Sequence, residues 1–188
     1  AGSEAILALH DECELAPSTE AIAERAGVSP RALWRYFDDA EDMARAAISR
    51  QQERLAPVFA RPIDTSGTRH DRVQRAVTHR IELVDAMGNV GKVARLRAPF
   101  NPAIAAELQR VRREVRRLLG AALRPDLEAL PRRRAETTLA AIDVACSYEA
   151  VELLRSDHGL ASPAVEAMLV DAVHAHLAAA EAGSEGRR

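Results

Sequence analysis

The sequence predicts an all-α protein, with a small three-helix head at the amino terminus and a helical body behind it, about nine helices in all. Three observations carry that prediction. Apolar residues recur at spacings of three and four along most of the chain, as in Ile104, Leu108, Val111, Val115, Leu118 and Ala122. No stretch alternates apolar and polar residues in the way a half-buried strand does. Hydrophobic residues make up 47% of the chain but aromatics only 3%, so its apolar content is mostly alanine, leucine and valine. At 188 residues it is long enough to bury a sizeable core, as one domain or two small ones.

The head comes first. Ala1–Ser3 reads as a frayed end, and Ile6, Leu7, Leu9 and Cys13 give a first helix an apolar face that runs out near Pro17. Ser18 can cap a second helix, accepting from an orphaned N–H of its first turn. Ile22, Ala23 and Ala26 form the buried side of that helix, and Gly27 ends it where positive φ is needed. Ser29 then caps a third helix with Pro30 in its first position, where a missing N–H costs nothing. Leu33 and Phe37, four apart, turn inward together and leave Pro30, Arg31, Ala32, Trp34, Arg35 and Tyr36 on the outer side. The pattern is a helix-turn-helix with a polar, aromatic and basic outer surface.

The body follows in the same grammar. A fourth helix starts near Asp39, carries Met43, Ala46, Ala47 and Leu55, and is expected to end at Pro57. Arg61–Gly67 is dense in turn formers. A fifth helix from Thr68 places Val73, Val77, Ile81 and Val84 on one stripe and stops before Gly88 or Gly91. A short sixth spans Lys92 to Ala98, and Asn101-Pro102 opens the seventh. Arg110, Arg112, Arg113, Arg116 and Arg117 fill the other faces of the seventh, which we read as a solvated surface paired in part with Glu107 and Glu114. An eighth helix is expected over Arg132–Ser156, with His158-Gly159 after it, and a ninth from Ser162-Pro163. Gly183–Arg188 has the composition of a disordered tail.

In the head, Ile22-Ala23, then Ala26-Gly27-Val28-Ser29, then Leu33-Trp34 with Tyr36-Phe37, resembles the DNA-binding half of the TetR/AcrR family of transcriptional repressors, over about Ser18 to Ile48. Trp34 stands where that family usually has tyrosine, and Ala40 where it usually has lysine. The resemblance implies a helix-turn-helix DNA-binding domain over 1–50, a ligand-binding and dimerisation domain over 51–182, and a tail over 183–188. It implies that Ser18, Thr19, Ser29, Pro30, Arg31, Ala32, Trp34, Arg35 and Tyr36 meet a double-stranded DNA operator. It also implies a homodimer through the last two helices, for which Leu169, Ala172, Val173, His176 and Leu177 are the expected contacts. A small-molecule effector would bind among the fifth to eighth helices, against Leu83, Met87, Phe100, Asp143 and Cys146. Its identity cannot be read from the residues. The expected function is a ligand-responsive repressor of transcription. The alternative is an all-α ligand-binding or interaction protein that keeps the head as structure with weak or no DNA binding.

Charge, cysteine and histidine usage limit the other classes. Basic and acidic residues nearly cancel at 26 and 28, and in residues 1–50 five arginines face ten acids, which favours the alternative. Cys13 and Cys146 are too far apart in sequence for a Cys-x-x-Cys motif, so neither a disulfide scaffold nor a zinc site is expected. His174 and His176 are two apart on a helix and point away from one another, and no His-x-x-x-His pair exists, so we expect no metal and no cofactor. No phosphate loop or nucleophile elbow appears, and enzymatic activity is not expected. No apolar run is long enough for a membrane span, which leaves the cytoplasm as the default location.

Overall fold

The computed structural model describes residues 2–185, with side chains for residues 2–183. It is helical, and no strand occurs among the described residues. Contacts divide the chain into two units, one of Ala1–Arg61 with Asp85–Arg113, the other of Pro62–Val84 with Glu114–Arg188.

The amino-terminal unit holds α1 (Gly2–Asp11), α2 (Thr19–Arg25), α3 (Pro30–Leu33) and α4 (Ala40–Ala60). The later part of α5 (Arg69–Arg97), a short 3-10 turn η1 (Ala98–Phe100) and the first half of α6 (Pro102–Ala122) complete it. Its core gathers Ile6, Leu7, Leu9, Ile22, Ala23, Leu33, Met43 and Ala47, with Phe37 packed against them. Val90 joins the same cluster, which ties residues after Gly88 to this unit. Gly2 and Ser3, expected to fray, are already helical, and Gly2 lies against the Phe37 ring. Cys13, just past α1, is exposed. Ion pairs bind α1 to α4. Arg54 reaches Asp11 at 3.4 Å, and both Arg54 and Arg50 grip Glu4. Pro57, expected to stop the fourth helix, lies inside α4, which continues to Ala60. The donor that proline lacks leaves one carbonyl, that of exposed Glu53, without its helical partner, and solvent can serve it instead.

The carboxy-terminal unit holds the first part of α5, the second half of α6, and α7 (Arg124–Glu128), α8 (Arg132–Ala145), α9 (Tyr148–Ser156) and α10 (Ser162–Glu185). Val73, Val77, Leu119, Leu123, Ile142, Val151, Val165, Leu169, Val173 and Leu177 fill its core. Thr68 and Asp71 open α5 reciprocally. The Asp71 carboxylate accepts from the Thr68 N–H at 2.8 Å, and the Thr68 hydroxyl accepts from the Asp71 N–H at 3.2 Å. The fifth helix does break at Gly88, whose φ of 46° and ψ of −147° lie outside the helical region and are reached most easily by glycine. The helix expected over 132–156 is two helices, because the Ser147 side chain accepts from the Ala150 N–H at 3.1 Å and caps a new start. Short α7 was not expected at all.

Gly183–Glu185, expected to be disordered, continue α10, with Gly183 against the Arg134 guanidinium; residues 186–188 of that tail lie outside the described residues. Asp126 sits buried between two guanidiniums, 2.8 Å from Arg69 Nε and 2.9 Å from Arg72 Nη2, and Arg69 also holds Glu181. His70 and His174 stack with ring centroids 5.6 Å apart. Cys146 is fully buried, and burial pushes its thiol up to about 11.

Candidate nucleic-acid interface

Two serines and a glycine shape this surface. The Ser18 hydroxyl accepts from the Ala21 N–H at 3.1 Å and starts α2. Gly27, at φ 69°, takes the left-handed conformation that turns the chain, and a side chain there would meet no obstacle but the backbone itself. The Ser29 hydroxyl accepts from the Ala32 N–H at 3.1 Å, with Pro30 in the first position of α3. Leu33 is fully buried and anchors the segment from below. The α-helix is shorter than expected. After Leu33 the chain tightens, with Arg35 N–H donating to Ala32 at 3.2 Å and Tyr36 N–H to Leu33 at 3.0 Å, so Trp34, Arg35 and Tyr36 ride on tight turns.

Most of the expected DNA-facing residues are open to solvent. Ser18, Ser29, Pro30, Arg31 and Arg35 are exposed, Trp34 is 43% and Tyr36 77% exposed, and Thr19 and Ala32 are half-buried. The local electrostatics differ from the composition of residues 1–50. Glu12 takes a two-pronged pair from Arg25 at 2.7 Å, Glu41 and Asp42 take Arg45 at 3.1 and 3.5 Å, and Glu4 takes Arg50 and Arg54. Asp39 is spent on the Asp42 N–H at the start of α4, at 2.7 Å. Arg31 and Arg35 pair with no carboxylate among the described residues, so their guanidiniums face solvent with their donors available.

The residues expected to bind a small molecule are differently placed. Phe100 is 88% exposed, and Leu83 and Cys146 are packed into the core of the carboxy-terminal unit. Asp143 accepts from Arg80 Nη2 at 2.6 Å and so has a partner within the chain. Met87 borders a cavity that belongs to the amino-terminal unit. It measures about 370 Å³ and is walled by α1, α2, α4, the end of α5 and the start of α6, with Trp34 and Thr19 among its borders. No sequence pattern points to it, because its wall joins segments far apart in the chain, from Ile6 to Val111.

Of the expected interface residues, Leu169, Val173 and Leu177 are 1% exposed and belong to the core of the chain's own carboxy-terminal unit, while Ala172 and His176 are half-buried. The other side of α10 presents Ala164, Ala167, Met168, Ala175, Ala178 and Ala179 to solvent. Among the described residues no group of three or more histidine, cysteine and acidic side chains is placed to hold a metal ion, and no helix is long and apolar enough to cross a membrane.

Residues 16–47, the stretch that forms this surface, match the family model described as bacterial regulatory proteins, tetR family. The head is similar to that of TetR-family regulators over this stretch. The fold of the whole chain agrees. It superposes on a TetR-family transcriptional regulator from Rhodococcus sp. at TM-score 0.64, with 18% identity over 94% of this chain and 98% of that one. It superposes on a transcriptional regulator from Rhodococcus sp. Rha1 at TM-score 0.71, again with 18% identity, over 96% and 98% of the two chains. No curated protein sequence matches. Both of these structures are described as transcriptional regulators.

Proposed function

We propose that this chain is a ligand-responsive transcriptional repressor that binds a palindromic operator as a homodimer and is released from it by a small molecule. The observation that carries the reading is the segment from Ser29 to Tyr36. A capped turn, anchored by buried Leu33, presents two guanidiniums free of carboxylates beside two exposed aromatic rings. Such a surface can reach base edges through Arg31 and the flanking phosphates through Arg35. Two heads must address half-sites about 34 Å apart on one face of the duplex, which requires a dimer. The solvent-facing side of α10, alanine-rich with Met168 and one acid, Asp171, allows a second helix to approach closely.

Selection of bound DNA from random sequence, at low and moderate salt, tests the reading. A two-fold symmetric consensus is the expected result, and affinity for it should fall steeply with salt. Absence of any enriched sequence would instead favour a binding protein that keeps the head as structure, a reading supported by Ala40 and by exposed Glu20 and Glu24 on α2.

A further inference from the structure

We propose that the cavity of the amino-terminal unit binds an amphipathic carboxylic acid, its apolar body among the helices and its carboxylate on Arg97. The proposal rests on the ligand-responsive reading above and gives it a site and a ligand class. At about 370 Å³ the space falls in the range of small-molecule pockets. Its wall is mostly apolar, with Ile22, Leu55, Val90 and Leu108 among the lining, so an apolar occupant restores contacts that the empty space forgoes.

The polar part of the wall sets the sign of the charge. His10 Nδ1 lies 2.7 Å from the Glu14 carbonyl oxygen, which can only accept, so Nδ1 carries the proton. Burial lowers the His10 pKa, and the ring is neutral with its lone pair on Nε2. That lone pair accepts from Arg97 Nη1 at 3.3 Å. Half-buried Arg97 therefore has a neutral partner and no carboxylate among the described residues. The wall's own carboxylate, Glu107, is held by Arg110 at 2.7 Å and Gln52 at 2.9 Å. An uncompensated guanidinium beside an apolar cavity favours an anion, and its planar fork fits a carboxylate. Thr19 and Trp34 border the same space, so an occupant would touch the proposed DNA-facing surface directly.

Trp34 is the chain's one tryptophan, so its fluorescence reports occupancy. The full chain is titrated with decanoic acid and with 1-decanol, both below their aggregation limits and without DNA. Decanoic acid should bind saturably and about tenfold more tightly than the alcohol. Arg97→Gln should erase that preference, Arg97→Lys should keep part of it, and Ala44→Phe, which fills the cavity, should abolish both signals. Should Arg97→Gln fail to fold by circular dichroism, Arg97→Met makes the same test. Equal affinity for acid and alcohol in the wild type, or a preference that survives the loss of the guanidinium, would overturn the site. An operator found by selection without this preference overturns the site alone, and the preference without an operator supports the site and removes only the repressor reading.

Discussion

Arg31 and Arg35 lie four residues apart on the exposed side of the segment after Ser29, and their positions give them different work. Arg31 is in the first turn of α3, the part that in helix-turn-helix proteins reaches base edges, where a guanidinium can bridge O6 and N7 of a guanine. Arg35 follows beyond the α-helix, beside Trp34 and Tyr36, and under the proposed function it would meet the groove wall and its phosphates. Arg31→Ala should weaken the best site by roughly 1–3 kcal/mol more than scrambled DNA. Arg35→Ala should weaken both alike and reduce the salt slope by about one unit. Binding titrations of both variants on both DNAs at two salt concentrations decide it, and equal losses for Arg31→Ala would move the reading role elsewhere. The residues of the turn were legible because caps are local. Ser18, Gly27 and Ser29 each act within three residues of themselves. The charge at the surface was not legible, because Arg25 reaches Glu12 across 13 residues and Arg50 reaches Glu4 across 46, and composition cannot see such pairs.

Helix starts carrying a proline or a turn-rich loop were readable, as at Asn101-Pro102, where the Asn101 side chain accepts from the Ile104 N–H at 3.1 Å. The break between α8 and α9 was not, because apolar spacing continues on both sides of Ser147 and nothing in sequence says that its hydroxyl faces a helix N–H. The same blindness hid Asp126, whose partners Arg69 and Arg72 are more than 50 residues away on α5. Burial alone would raise the Asp126 pKa. The hydrogen bonds from Arg72 and Arg69 outweigh it and hold the carboxyl below its usual value. Because the folded value is the depressed one, the tie between α5 and α7 contributes fully above the unfolded value of about 3.9. It is lost as pH falls through the lower folded value. Asp126→Ala should cost about 3 kcal/mol at neutral pH, since it leaves mostly buried Arg72 without its carboxylate, while Arg69 keeps Glu181. Below about pH 4 the variant should lose less further stability than the wild type, measured by urea unfolding across the acid range.

At the scale of the whole molecule, α10 carries two apolar stripes, and sequence spacing alone did not say which one turns inward. Leu169, Val173 and Leu177 face the protomer's core, and the alanines with Met168 face out. Arginine on the inner stripe, Val173→Arg, should unfold the protomer, because it buries an unpaired charge. Arginine on the outer stripe, Ala175→Arg, should leave the helical signal intact and convert a dimer into a monomer, as read by sedimentation equilibrium. A wild type that sediments as a monomer at micromolar concentration would remove the dimer from the proposal. The two cysteines open a direct way to watch that assembly at work. Thiol reagents attack the thiolate, which buried Cys146 withholds with its thiol at about 11, whereas Cys13 stands exposed beside the head. A maleimide spin label should therefore mark Cys13 alone, in the natural sequence. Two such marks in a symmetric pair define one distance, a ruler between the heads that can be read with and without DNA.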